Sequence, residues 1–262
     1  MATAALGLSA SRMSVGRVFE RAFATIRQNP VVTIGLTIFL GGIPITAFEY
    51  LISQVPPSAF YMTVGSIYLP GSIPLALFKW FVGLIVGTIV LGALTRPVVA
   101  FSYGRKAGFG ESLLATAKNL FSLTFLGVML GLCVIIGMTL LIVPAIVVYL
   151  LWIVAAPALV EEGDGVFLSL SRSQELSEGA RLKCFAALLL VAVIHMVLFG
   201  LAILAFRFTG PYQDFSAAST TVLVLAAAAI QLLWGTVQAS LYVELRDWKE
   251  GPGIDNLEDV FA

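Results

Sequence analysis

The polar side chains able to do chemistry gather in two short stretches of an otherwise apolar chain of 262 residues. One follows Pro157 and contains Glu161, then Leu170-Ser171-Arg172-Ser173-Gln174-Glu175-Leu176-Ser177-Glu178-Gly179. The other is Tyr242-Val243-Glu244-Leu245-Arg246. An arginine among carboxylates has two uses. Arg172 pairs with Glu161 or Glu244 and pins its own segment to the ends of its neighbours. Alternatively its guanidinium holds a lipid phosphate, as basic pockets beside a membrane do. The abundance of carboxylates, with Glu175 and Arg246 in the same set, favours the pin.

Two further polar residues lie deep inside apolar runs. His195 comes 11 residues after Cys184, and Gln231 comes 12 residues before Val243. At about 1.5 Å per residue both sit about 17 Å from the same edge of their runs. On antiparallel neighbours they would share a hydrogen bond worth about 0.6 kcal/mol, at most about 1.7. The sharper use of such a histidine is as a proton relay. No carboxylate lies at that depth, which favours the hydrogen bond. Beyond these, the parts for catalysis are missing. There is one histidine, and there is no GxSxG, P-loop or HExxH pattern, so neither a nucleophile with its base nor a zinc site can be assembled. Cys133 and Cys184 stand about 50 residues apart in apolar surroundings and read as buried thiols. No cofactor is called for.

The elements that position these residues are set by hydropathy. Between Lys118 and Glu161 run 42 residues without a charge, interrupted by Pro144. A helix rising about 1.5 Å per residue needs about 20 residues to cross a bilayer core of about 30 Å, so this is two crossings folded at Pro144. The whole chain agrees, being 59% hydrophobic and 11% charged with mean hydropathy +0.99. Its formal charge of zero gives no footprint for nucleic acid. The predicted class is all-α and polytopic, with six spans at 31–53, 75–103 (its inner end bent by Pro97), 121–143, 145–160, 184–206 and 217–243, and a tail at 244–262. Gly83-xxx-Gly87 and Gly127-xxx-Gly131 suit close helix packing within one molecule. The proline-rich stretch 54–74 covers the outer surface.

Thirteen of the fifteen lysines and arginines fall on the side shared by the two termini; only Lys79 and Arg207 fall on the other. Both termini are therefore expected in the cytoplasm. Arg12, Arg17, Arg21 and Arg27 thread through an amphipathic pattern rather than preceding a signal peptide. That pattern predicts an interfacial helix at 14–28, and 109–120 and 166–182 have the same character. ERAFATIRQNP and ESLLATAKNLF share an outline, so the chain reads as three units, each an in-plane helix followed by a membrane hairpin.

Several of these residues carry a resemblance. Pro157 and Glu161 close a span, Arg172-Ser173-x-x-Leu176-x-x-Gly179 follows, Tyr242-x-x-Leu245-Arg246 with Glu250-Gly251 closes the last span, and Asn29-Pro30 precedes the first. The pattern resembles the membrane domain associated with glycerophosphodiester phosphodiesterases and its stand-alone, uncharacterised relatives in bacterial inner membranes. The resemblance implies an inner-membrane location but no catalysis. In the two-domain relatives the chemistry belongs to a separate soluble barrel with metal-binding acids and histidines, and this chain lacks both. The expectation is a non-enzymatic membrane protein that organises envelope lipids, anionic headgroups among them, or a membrane protein complex. The alternative is a small transporter or channel with a path between the hairpins.

Overall fold

A computed structural model describes residues 13–55, 62–64, 67–69, 72–140, 142–207 and 217–251. Among them six helical segments are long and apolar enough to cross a membrane: Pro30–Ser53, Pro74–Ser102, Leu120–Gly137, Val143–Glu162, Arg181–Leu201 and Val224–Glu250. Hydrocarbon offers the backbone no hydrogen-bond partner, so apolar runs of this length must satisfy themselves as helices. The protein is a multi-pass, all-α membrane protein. One small addition lies in the stretch read as an irregular outer cover, where strands β1 (Met62–Val64) and β2 (Ile67–Leu69) pair antiparallel. The tail beyond Gly251 and the first twelve residues lie outside the described residues.

Helix α1 (Val15–Gln28) is separated from α2 (Pro30–Thr37) only by Asn29, and Pro30 starts α2 where a missing N–H costs nothing. Span one then passes through a π-helical turn, Ile38–Gly42, into α3 (Ile43–Ser53). Two glycines let a neighbour press on this turn. A Cβ on Gly42 would lie 2.8 Å from the Val224 carbonyl oxygen, and one on Gly41 would lie 3.1 Å from Val90. Span two is α4 (Ser72–Ser102), which continues through Pro97.

Spans three and four form a hairpin of α6 (Leu120–Leu140) and α7 (Ile142–Leu151). The chain reverses before Pro144 rather than at it. Pro144 is the third residue of α7, within the first turn, where helical N–H groups lack partners anyway. The two backbones touch where a Cβ on Gly137 would fall 2.8 Å from Ala145 Cα. Span four is itself interrupted: α7 ends at Leu151, and α8 (Ala155–Glu162) completes it. Helix α10 (Arg181–Arg207) is span five, and α11 (Ala217–Glu250) contains span six.

Helix α11 is the axis of the bundle, touching span one, α4, α10 and α1. Small residues set its distances. Gly235 admits Leu94 of α4, whose Cδ1 would lie 2.5 Å from a Cβ there. Gly127 and Gly131 of α6 meet Ile85 and Phe81 of α4, so that glycine pair packs inside the molecule. Tyr242, Leu94, Leu123, Leu126 and Leu245 are fully buried. Leu189, Val193, Met196 and Val197 of α10 stay exposed, as side chains facing lipid should.

The short helices α1, α5 (Phe109–Lys118) and α9 (Val166–Ser177) lie at the charge-rich end. Their packing differs from a simple apolar-in, polar-out arrangement. Beside buried Val18 and Ala22 on α1 and Leu170 and Leu176 on α9, the buried positions include small hydroxyls, Thr25 on α1, Ser112 and Thr116 on α5, and Ser169, Ser173 and Ser177 on α9. Phe23, Leu114, Phe167 and Leu168 are exposed. Thr25, Ser112, Thr116 and Ser169 donate to the carbonyl four residues back, so they can be buried without an orphaned hydroxyl. The shared outline of α1 and α5 extends to their ends, because Asn29 and Asn119 each cap their helix, four residues after Thr25 and three after Thr116.

Candidate functional site

Arg172 is placed by α9 against the ends of spans four and six. Its Nε donates to Glu162 Oε2 at 2.9 Å, its Nη2 donates to Glu250, and Glu175 one turn along lies at 3.9 Å. The partners expected from sequence, Glu161 and Glu244, are engaged elsewhere. On α8 one residue turns the side chain by about 100°, so Glu162 faces α9 while Glu161 faces α4, where Arg96 Nε lies 3.3 Å away. Glu162 also accepts the Tyr242 hydroxyl at 2.9 Å. Burial pulls the Arg172 guanidinium pKa down, but the hydrogen bonds to Glu250 and Glu162 outweigh it and hold the pKa above the ordinary arginine value. Arg172 thus links α9 to Glu162 at the end of span four and Glu250 at the end of α11.

Glu244 is the most buried carboxylate described, with 3% of its side chain exposed. It accepts from Arg17 Nη2 at 2.6 Å and from the Ser14 backbone N–H at 2.9 Å, with Arg21 at 3.7 Å. Arg21 also reaches Asp247 at 3.3 Å. The Glu244 hydrogen bond raises the Arg17 pKa against a smaller opposing effect of burial. Arg246 takes a different partner: its Nη2 donates to the Tyr103 hydroxyl at 2.6 Å, and its guanidinium lies 5.7 and 5.4 Å from the ring centres of Tyr103 and Tyr242.

Break and pin are linked through Ser173, next to Arg172. Its hydroxyl donates to Leu151 C=O at 2.9 Å and accepts from Val154 N–H at 3.2 Å, satisfying two of the backbone groups freed where span four is interrupted. Ser173 is fully buried. Irregular backbone at membrane depth is tolerated where protein encloses it.

Mid-membrane, His195 does not meet Gln231. His195 Nδ1 accepts the indole N–H of Trp234 at 3.0 Å. Gln231 lies instead between two glycines: a Cβ on Gly41 would sit 3.4 Å from its Cγ, and one on Gly87 would sit 3.3 Å from its Oε1. Counting residues puts His195 and Gln231 at similar depth, but their side chains meet different neighbours. Trp234 lies three positions further and turns toward α10. Both residues line a cavity of about 550 Å³ between spans two to six. It reaches from Trp80 and Ala145 to Ala156 and Phe185, with Gly83 open on one wall. Tyr149 accepts from Gln238 Nε2 at 2.8 Å within the same lining.

Sequence reasoning missed Trp234, Gln238, Tyr149, Ser173, Glu162 and Arg96. A signal existed for two of them, since Gln231, Trp234 and Gln238 are spaced three and four apart and so share one face of span six. The cavity has no carboxylate, lysine or arginine in its lining. Its chemistry is therefore apolar contact plus a few oriented dipoles, the profile of a site for a largely hydrocarbon ligand. Among the described residues no group of His, Cys, Asp or Glu is placed to hold a metal ion. No protein-family model matches the chain, and no curated protein or solved structure is significantly similar to it.

Proposed function

We propose that this is a non-enzymatic inner-membrane protein that organises envelope lipids by holding a lipid acyl chain between its spans. The observation that carries the reading is the mid-membrane cavity. It lies at hydrocarbon depth, is lined by apolar side chains from five spans, and is surrounded by the acyl chains of the bilayer itself. Part of the base at the other end supports a scaffold, since Arg17 with Glu244 and Arg172 with Glu162 are committed to one another. Both termini face the cytoplasm in this reading, on the strength of the positive charges gathered at that end. The resemblance to membrane domains that leave catalysis to a separate barrel agrees with it, and a membrane protein partner at the base is compatible with it.

Gly83→Leu tests the proposal. Gly83 has open space around it, so leucine fills the cavity without a clash and suits the helix better than glycine. Lipid that co-purifies with the parent in mild detergent should be reduced in the variant while thermal stability is kept. Equal lipid content in the two would overturn the reading. The transporter alternative rests on the same cavity and its single histidine, and proteoliposome flux decides it.

A further inference from the structure

A second cavity, of about 340 Å³, opens at the charge-rich end and is predominantly polar. Its lining includes Arg96 of α4, Tyr103 and Arg105 of the following turn, Glu111 of α5, Glu161 of α8 and Arg246 of α11. It is separate from the mid-membrane cavity, because fully buried Leu94, Leu159 and Leu241 lie between the two on the helices they share.

Three guanidinium groups face two carboxylates there, leaving one positive charge. Arg246 donates to the Tyr103 hydroxyl and acts on Glu161 and Asp247 only through charge, and Arg105 is exposed. More telling are Arg96 and Glu161. Arg96 Nε and Glu161 Oε1 stand 3.3 Å apart, yet both atoms are buried without a hydrogen bond, and nine-tenths of the Glu161 side chain is covered. A buried donor and a buried acceptor left unmet are costly, and the cost is removed by a ligand that supplies both complements. A phosphoryl oxygen accepts from Arg96, and a hydroxyl on the same ligand donates to Glu161. One phosphodiester charge neutralises the excess positive charge, and guanidinium forks suit phosphate oxygens.

We propose that this polar cavity binds a phosphate ester carrying a neighbouring hydroxyl, chemistry shared by a hydroxylated phospholipid headgroup and a small soluble phosphate ester. The site lies among the ends of spans two, four and six, where a headgroup of the adjacent leaflet and a soluble ester can both arrive.

The test uses the full chain in nanodiscs of phosphatidylcholine, with either phosphatidylglycerol in the disc or glycerol phosphate in solution, read by native mass spectrometry and by titration. The parent should retain phosphatidylglycerol or bind glycerol phosphate saturably. Arg105→Gln, at an exposed turn, and Arg96→Gln should each lower binding about tenfold, the loss of one charge-assisted hydrogen bond. Arg27→Gln, an exposed arginine on α1 outside the cavity, should bind as the parent does. Retained lipid that glycerol phosphate fails to displace identifies the headgroup as the source. Saturable glycerol phosphate binding in phosphatidylcholine discs identifies a soluble ester. The proposal is overturned if the parent binds neither probe, if Arg105→Gln and Arg96→Gln bind as the parent does, or if Arg27→Gln falls as far as they do.

Discussion

Arg17 and Glu244 join the first described helix to the end of the last, 227 residues apart in sequence and 2.6 Å apart in space. The carboxylate is almost wholly buried while the guanidinium is 43% exposed, so the interaction is asymmetric. Losing Arg17 leaves an acid in a dry place. Losing the charge of Glu244 leaves an arginine that water can still reach.

Glu244→Gln should accordingly loosen α1 without unfolding the bundle. Charge-assisted hydrogen bonds contribute about 1.5–3 kcal/mol, and hydrogen exchange across 15–28 should accelerate correspondingly while α4 and α6 keep their protection. Unchanged exchange in α1 would show that apolar contacts of Val18 and Ala22 alone hold it.

Arg172→Ala should lower thermal stability in detergent. The side chains of Arg172 and Glu162 are about one quarter exposed, which places the loss between surface and buried pairs, at about 1–2 kcal/mol. Arg172→Lys should recover only part of it, because one ammonium cannot reproduce the guanidinium fork reaching Glu162 and Glu250. Full recovery by lysine would mean that charge alone matters here.

Ser173→Ala should cost about 1–3 kcal/mol despite removing a single oxygen, since the Leu151 carbonyl and Val154 N–H both lose their partner inside the protein. Comparing its melting temperature with that of exposed Ser171→Ala isolates the effect. Equal values would refute the bridge.

His195→Gln keeps an acceptor for the Trp234 indole and removes the only histidine. Stability should barely change, and proteoliposomes should show the same absence of proton-driven flux between about pH 5.5 and 8, a range that spans the reference histidine pKa. Flux in the parent that disappears in the variant would replace the lipid-organising reading with a carrier.

Orientation is open to labelling. With Cys133 and Cys184 replaced by alanine, Ser171→Cys should resist a membrane-impermeant thiol reagent in intact cells, and Gln54→Cys should react. The reverse pattern would invert the topology.

The six spans were legible because hydropathy over about twenty residues reflects the solvent directly and needs no knowledge of neighbours. Partners were less so. Arg172 was recognisable as a pin, but whether Glu161 or Glu162 faces it depends on the rotation of α8, which its packing on α4 and α9 decides. The same holds for His195, whose depth followed from counting residues and whose partner did not. The π-turn and the gap at residues 152–154 did carry markers that hydropathy ignores, since Gly41-Gly42 and Pro44 accompany the first and Pro157, in the first turn of α8, cannot donate back to residue 153. The cavities are properties of several helices together, and no single segment encodes them.

The Ser173 bridge also dictates an order of events during synthesis. Ser173 is made 22 residues after Leu151, and at about 5–20 residues per second that is a delay of about one to four seconds. Helices form in microseconds or less, so both halves of span four are ready long before their splint exists. Throughout that interval the exposed joint must be sheltered by the insertion machinery or by water. A chain cut off before α9 would keep a fourth crossing whose central joint has no splint.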